Sequence, residues 1–156
     1  MDSARLFVLP RQGRDRGLLR ACGWSPESVG EPPSCWRGAA TDWDKLAVAL
    51  GTLRRYGIAA AASQLGSPEQ IADRLIRQVR SRFPFADGAC VFWTADEEAR
   101  CLLASGYLRE PLTVHVYGPD TAGAAAAALE RVGLAVGLDA SPGAVPVGGA
   151  AGSPPG

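Results

Sequence analysis

The sequence predicts an α/β fold, a single three-layer domain with a mainly parallel or mixed sheet flanked by helices. Three observations lead to this prediction. Apolar residues recur at helical spacing in several segments, and short runs of strand-forming residues lie between them. Each helical segment spans about 10 to 16 residues, a length that suits crossover connections between parallel strands. With 156 residues, 47% of them hydrophobic, the chain can bury one core without metal ions or disulfides.

Residues 1–40 are predicted to form an irregular lead segment, because prolines and glycines interrupt any periodic pattern there. Trp24 and Trp36 predict that this segment packs on the domain, since large aromatic side chains bury much apolar area. The α/β domain is predicted to span residues 41–148. Residues 149–156 contain only Gly, Ala, Ser and Pro, a composition that predicts a disordered tail.

The first helix is predicted to begin at Thr41 or Asp42, because either side chain supplies an N-capping oxygen. It ends before Gly57, which suits the left-handed position that follows a last helical turn. Its apolar face consists of Trp43, Leu46, Ala49, Leu50 and Leu53, and its opposite, polar side of Asp44, Lys45, Arg54 and Arg55. Ile58–Ala62 follows as a short buried strand.

The second helix has the clearest start signal in the chain. Ser67 is a good N-cap residue, Pro68 suits the first helical position and Gln70 completes a capping box. The inward face consists of Ile71, Ala72, Leu75, Ile76, Val79 and Phe83. Pro84 ends the helix, because proline cannot continue the helical hydrogen-bond pattern.

A strand and a helix follow directly on one another in the next segment. Ala89–Trp93 is an apolar run of strand formers. Thr94 and Glu97 then form a second capping box, which opens a helix predicted to end near Ser105–Gly106. Leu112–Tyr117 alternates apolar and polar residues and is the clearest strand in the sequence.

The domain is predicted to finish with one more helix and a short C-terminal β-hairpin. An alanine-rich helix runs to Val132, and Gly133 supplies the residue that stops it. Leu134–Leu138 is the next predicted strand. Ala144–Val147 is expected to pair back on it as an antiparallel edge strand, because Ser, Pro and Gly between them favour a turn.

Charge and composition exclude several general classes of function. The chain has 16 basic and 16 acidic residues, so it lacks the overall basic field that attracts nucleic acid. No apolar stretch approaches the roughly 20 residues needed to span a bilayer, and the first apolar run is too short for a signal peptide. The sequence therefore predicts a cytoplasmic protein without a membrane partner, and its arginine, alanine and glycine bias suggests a GC-rich bacterial source.

Cofactor and metal motifs are absent from the sequence. Its four cysteines are far apart and form no C-x-x-C pair, so neither a zinc site nor a redox motif is expected. Cys90 lies within an apolar run and is interpreted as a small buried hydrophobic residue. The sequence also lacks the glycine-rich nucleotide motifs and the H-E-x-x-H zinc motif, so no cofactor is predicted.

Candidate binding residues lie where strands pass into helices. Ligands of open α/β sheets bind at the carboxyl ends of strands. In this sequence the corresponding segments are Ser63–Ser67, Trp93–Glu97 and Tyr117–Thr121. These three segments could converge on one rim of the sheet. The candidate ligand-binding residues are Ser63, Gln64, Asp96, His115, Tyr117 and Asp120. Helix capping, helix-dipole stabilisation and a structural role for the single histidine are the alternative explanations.

Three functions are compatible with these candidates. The leading hypothesis is a non-enzymatic module that binds a small ligand or a protein partner. The sequence contains a complete fold pattern but no complete set of catalytic residues. The second is a small enzyme that uses His115 and Asp96 with Ser63 or Cys90. The third is a nucleic-acid-associated protein whose second helix contacts phosphates through Arg74, Arg77 and Arg80, although a solvated helix face also explains those arginines.

Two segments resemble uncharacterised bacterial domain families. Leu53–Ile58 and Ser63–Gly66 are similar to the L-x-x-x-G-(I/F) and S-Q-x-G pattern of one family, which usually has proline after Ser-Gln where this chain has leucine. Phe92–Asp96, Leu112–Gly118 and Leu134–Ser141 resemble a second domain of unknown function in the order of strands and helices. Both resemblances imply a small bacterial α/β protein, and neither implies an activity.

Overall fold

The computed structural model describes residues 32–84, 88–137 and 143–149. In chain order, the elements are α1 (Ser34–Ala39), α2 (Asp42–Arg55), β1 (Ala59–Gln64), α3 (Pro68–Arg82), β2 (Cys90–Thr94), α4 (Ala95–Cys101), β3 (Leu112–Tyr117), α5 (Thr121–Arg131), β4 (Ala135–Val136) and β5 (Ala144–Gly148). The strands form one sheet in the order β1-β2-β3-β5-β4. Only β1 and β2 are parallel, and the other three pairs are antiparallel. The α/β fold and the β4-β5 hairpin are confirmed, and the sheet is mixed.

Helices cover both faces of this sheet, which confirms the three-layer prediction. On one face α2 and α5 pack against each other and against the sheet, where Val114 belongs to the same buried cluster. On the other face α3 covers β1 and β2, and its Ile71 and Leu75 form a second cluster with Phe92. Within the described ranges, no helix is both long and apolar enough to cross a membrane.

The helix starts follow the predicted capping residues. Thr41, Ser67 and Thr94 each accept a hydrogen bond from the backbone N–H three residues later, and the side chain at that position bonds back to the capping residue. Gly57 follows α2 with φ +83°, in the left-handed region where glycine carries no steric penalty. These local signals therefore predict the starts of α2, α3 and α4 correctly.

The connection from β2 to β3 explains why the sheet is mixed. The sequence predicts a helix that extends to Ser105–Gly106, but α4 ends at Cys101 after seven residues. The chain then folds back on itself, and Leu102 pairs with Leu108 in an antiparallel bridge. A helix this short does not carry the chain back across the sheet, as a parallel connection requires. Strand β3 therefore returns antiparallel to β2.

The prediction of a polar side for the first helix is wrong at the N-terminal end of that helix. Asp44 is only 1% exposed and Lys45 only 3%. The loop after α4 covers this end of the helix, where the Asp42 carboxylate accepts a hydrogen bond from the backbone N–H of Leu108 at 2.8 Å. Burial lowers the pKa of Lys45, and the neighbouring Asp42 carboxylate partly offsets that effect.

The inward face predicted for the second helix is wrong at Phe83, which is 64% exposed. Phe83 is the C-cap residue of α3, and its φ of −129° and ψ of 83° are not helical. A side chain follows the helical stripe only while its backbone stays helical. The stripe therefore ends before Phe83, although Ile71, Ala72 and Leu75 are buried as predicted.

The lead segment is regular where the structure describes it. Residues 34–39 form α1 instead of the predicted irregular chain, with Pro33 at the N-cap position and its carbonyl accepting from the backbone N–H of Arg37. Trp36 is fully buried in the larger core cluster, so its predicted packing is confirmed. The predictions for Trp24 and for the tail beyond Gly149 fall outside the described residues.

Candidate functional site

A bulge at the end of β1 brings Gln64 to one face of the sheet. Ala61 pairs with Phe92 and Gln64 pairs with Thr94, so β1 contains one residue more than β2 over this stretch. Ser63 is the extra residue, and its φ of +56° is in the left-handed region. Because side chains alternate along a strand, the insertion places Gln64 on the face shared by Phe92 and Thr94.

Hydrogen bonds hold the side chain of Gln64 in place. Its Nε2 donates to the Ala62 carbonyl at 2.9 Å, and its Oε1 accepts from the Arg74 guanidinium at 3.1 Å. Arg74 also donates to the carbonyl of Leu65 at 3.2 Å. Arg74 was a candidate phosphate contact, but in the structure it connects α3 to the end of β1.

The antiparallel return of β3 places His115 directly opposite Phe92, and the two rings stack with centroids 5.1 Å apart. The Nε2 atom of His115 lies 2.9 Å and 3.1 Å from the two carboxylate oxygens of Glu97. Glu97 also accepts from the backbone N–H of Thr94 as part of the capping box. The side chains of His115 and Glu97 are 17% and 15% exposed, so this pair is largely shielded from water.

The contact with Glu97 favours one tautomer of the His115 ring. A carboxylate accepts hydrogen bonds, so the tautomer that donates to Glu97 carries its proton on Nε2 and has Nδ1 as an acceptor. Within the described part of the chain, Nδ1 has no hydrogen-bond partner. The His115 ring is therefore oriented by Glu97.

These side chains border a cleft of about 300 Å³, called here the rim cleft. It is lined by Gln64, Leu65, Gly66, Pro68, Thr94, Ala95, Asp96, Glu97 and His115. No hydrogen bond or ion pair joins the Asp96 carboxylate to another described residue. Among the described residues, no group of three or more His, Cys, Asp or Glu side chains is arranged to hold a metal ion. The cleft thus combines one uncommitted carboxylate with a fixed carboxylate–imidazole pair.

Ser63 lies beside the rim cleft but does not line it. Its exposed hydroxyl donates to Glu98 at 3.2 Å, and the other carboxylate oxygen of Glu98 accepts from the indole N–H of Trp93 at 2.9 Å. The three carboxylates in the first turn of α4 therefore have different roles. Glu97 and Glu98 bind other parts of the chain, which leaves Asp96 as the carboxylate available to a ligand.

The third predicted junction does not join the other two. Tyr117 pairs with Cys90 at the start of β2, so Tyr117–Thr121 follows β3 at the opposite end of the sheet from the rim cleft. Convergence of all three junctions on one rim is therefore wrong, because it required a parallel β3. Asp120 lies beyond Tyr117 as the N-cap residue of α5, with φ +59° and no capping hydrogen bond from its side chain.

Tyr117 nevertheless shares a sheet face with His115. Its ring stacks on Phe92 with centroids 5.9 Å apart. Burial, and secondarily the nearby carboxylate of Glu69, raise the pKa of the Tyr117 hydroxyl. The tyrosine therefore stays protonated at neutral pH, and it is linked to His115 only through the ring of Phe92.

The three arginines predicted to contact phosphates do not form one free surface. Arg74 is engaged by Gln64, as described above, and Arg77 forms an ion pair with Asp73 one turn earlier. Arg80 is exposed on the same helix. Because exposed ion pairs one helical turn apart are weak, only Arg74 of the three is firmly held by its neighbours.

Cys90 is fully buried, and burial raises the pKa of its thiol from 9.0 to about 12. The thiol therefore stays protonated in the folded protein below about pH 12, and only a thiolate reacts rapidly with alkylating agents. We expect iodoacetamide at pH 8 to modify the exposed Cys35 and to leave Cys90 intact, as measured by peptide mass spectrometry.

The matched control for this alkylation is the same reaction in denaturant, where both thiols are expected to react. Equal rates at Cys35 and Cys90 in the native protein would contradict the burial of β2. Within the described structure, neither Cys90 nor Ser63 is a nucleophile for His115, because the first is buried and the second bonds to Glu98.

Sequence reasoning missed the partner of His115. Glu97 was assigned to helix capping, a role that the structure confirms, but its contact with a histidine 18 residues later depends on the antiparallel β3. No pattern in the sequence around Glu97 indicates this contact. The polar position of His115 on an alternating strand was its only indication.

Comparison with family models, with curated proteins and with solved structures finds no match to this chain. The resemblance to two bacterial domain families therefore stays a prediction. The function of the chain has to be argued from the geometry and chemistry of the rim cleft.

Proposed function

We propose that this chain is a binding module that takes a small cationic ligand, an amine or a guanidine, in the rim cleft. The observation that carries the proposal is the Asp96 carboxylate, which lines the cleft without a partner among the described residues. Carboxylates form their strongest hydrogen bonds with charged N–H donors. A ligand ammonium or guanidinium group satisfies this requirement.

The surroundings of Asp96 favour a cation over an anion. The Glu97 carboxylate lies on the next residue and makes the cleft acidic, while His115 contributes the only other titratable side chain to its lining. Two backbone N–H groups of the lining are already occupied, because the capping box of α4 uses those of Thr94 and Glu97. A volume of about 300 Å³ suits a small molecule.

The remaining lining groups provide specificity. The Nδ1 atom of His115 can accept a hydrogen bond from a second N–H of the ligand. Gln64 is held by Ala62 and Arg74, so the wall of the cleft is rigid before a ligand arrives. A preformed wall limits the entropy lost on binding. A ligand with two or more N–H donors is therefore preferred to a simple monoamine.

Titration with methylguanidinium, followed by amide chemical shifts of labelled protein, tests this function. We expect saturable shifts for Leu65, Gly66 and Asp96, and binding about 10 to 100 times weaker in Asp96→Asn, the usual range for one charged hydrogen bond. Asp120→Asn is the matched control, because it removes an exposed carboxylate at the opposite end of the sheet.

Three results would contradict a cation-binding cleft. The first is the absence of saturable shifts with methylguanidinium, and the second is equal weakening by Asp96→Asn and Asp120→Asn. The third is tighter binding of acetate than of methylguanidinium, which would require a cationic wall. The electrostatic part of the affinity is also expected to fall as the salt concentration rises.

A second candidate function, general acid–base catalysis, is favoured by one observation. Glu97 orients the His115 ring and leaves Nδ1 as a base at the edge of the cleft. Because Ser63 and Cys90 are not placed as nucleophiles, such catalysis would involve proton transfer without a covalent intermediate. If the wild type turns over a substrate, loss of this activity in His115→Gln and its retention in Asp120→Asn would favour this function.

A further inference from the structure

A second cavity lies at the other end of the sheet, between the C-terminal ends of α2 and α3. This basal cavity has a volume of about 140 Å³ and is lined among others by Arg54, Ile58, Leu75, Val79, Arg82 and Phe83. Strand β1 and helix α3 run in opposite directions along one another, so the start of β1 and the end of α3 meet here. The rim cleft is formed by the opposite ends of the same two elements.

Apart from the arginines, the lining of the basal cavity is mainly apolar, with Gln78 as a further polar side chain. Leu75 is buried, Val79 and Ile58 are half-buried, and Ala59 on the α3 face of β1 has only a methyl group. A dry cavity of about 150 Å³ lined by aliphatic and aromatic side chains is large enough for a benzene molecule. The interior therefore fits one flat six-membered ring.

The opening of the basal cavity is cationic. Arg54 and Arg82 lie in the last turns of α2 and α3, where a cation stabilises the helix dipole. The dipole explains each arginine separately, but it does not explain an apolar cavity between them. No hydrogen bond or ion pair joins Arg82 to another residue in the described ranges. The exposed ring of Phe83 lies beside it and adds apolar surface at the opening.

We propose that the basal cavity is a second ligand site, which takes a small aromatic carboxylate with its ring against Leu75 and its carboxylate at Arg82. An arginine fork matches a carboxylate in two parallel hydrogen bonds. The Arg82 guanidinium complements the anion, and the apolar part of the lining complements the ring. This site is independent of the proposed function of the rim cleft.

Benzoate is the probe that tests this site, in a titration of labelled protein followed by amide chemical shifts. Saturable shifts are expected at Ile58, Val79 and Arg82. Arg82→Gln is expected to weaken binding at least about tenfold, the effect of losing one charged hydrogen bond. Arg80→Gln is the matched control, because Arg80 is exposed on the same helix but does not line the cavity, and it should change the affinity less than about twofold.

Two further measurements separate the apolar and the charged parts of the site. Val79→Phe is expected to abolish benzoate binding by filling the cavity. Benzylammonium, which has a ring of the same size and the opposite charge, is expected to cause no shifts at Ile58, Val79 and Arg82. The proposal is overturned if benzoate gives no saturable shifts, if Arg82→Gln binds it as well as Arg80→Gln, or if benzylammonium shifts these three residues as benzoate does. Asp96→Asn should leave benzoate binding unchanged, which keeps this test separate from that of the rim cleft.

Discussion

Replacing Trp36 with alanine is expected to lower the free energy of unfolding by about 3 to 5 kcal/mol, the range for truncating a buried aromatic residue. Trp36 is 0% exposed and belongs to the same core cluster as Trp43 and Leu46 of α2. Arg37 next to it donates to the carbonyl of Arg131 at 3.1 Å, which connects α1 to the end of α5. Urea denaturation of the full chain, followed by fluorescence and by circular dichroism, measures the change.

Cys35→Ala is the matched control for Trp36→Ala. Cys35 belongs to the same short helix but is exposed, so its replacement should change the free energy of unfolding by less than about 0.5 kcal/mol. If Trp36→Ala cost less than about 1 kcal/mol, α1 would not belong to the cooperative folding unit. The predicted domain boundary at residue 41 would then be preferable to one that includes α1.

Gly118→Ala is expected to destabilise the protein by about 2 to 5 kcal/mol. Gly118 has φ +105°, a conformation that L-residues rarely adopt, and a Cβ there would lie 2.8 Å from the Cα of Ala89 and 2.9 Å from the carbonyl oxygen of Gly88. The backbone conformation costs about 1 to 2 kcal/mol for a residue with a side chain, and overpacking against backbone costs about 1 to 3 kcal/mol more. The same denaturation experiment measures the sum.

Gly57→Ala isolates the conformational part of this cost. Gly57 also has a positive φ of +83°, but no atom lies within 4 Å of the Cβ position. We expect it to lose only about 1 to 2 kcal/mol. An equal loss in the two variants would show that the close approach of the β3-α5 turn to the start of β2 is not restrictive, contrary to the structure.

The position of the rim cleft could be predicted from the sequence more easily than its composition. The ends of β1 and β2 are visible because a capping box follows each strand, and parallel strands end at the same rim of a sheet. Gln64 and Asp96 were therefore candidates for a sound reason. The same argument was wrong for Asp120, because it assumed the direction of β3, and direction depends on the connection between strands.

The pairing of His115 with Glu97 shows what local patterns leave open. Glu97 was interpreted through its nearest neighbours, as a cap for Thr94, and that interpretation is correct. Its second hydrogen bond requires β3 to lie antiparallel beside β2, which brings together residues 18 positions apart. Charge, periodicity and capping chemistry describe interactions over about four residues and do not specify such a contact.

The sequence by itself determined the starts of α2, α3 and α4 and the alternating burial of β3, because caps such as Ser67 and apolar spacing act between close neighbours. The tertiary structure alone decided the direction of β3, the burial of Asp44 and Lys45, and the meeting of Asp96 with His115 in one cleft. Each of these depends on which distant segment covers a surface. That choice is made by the packing of the whole chain, since every local element is compatible with more than one arrangement.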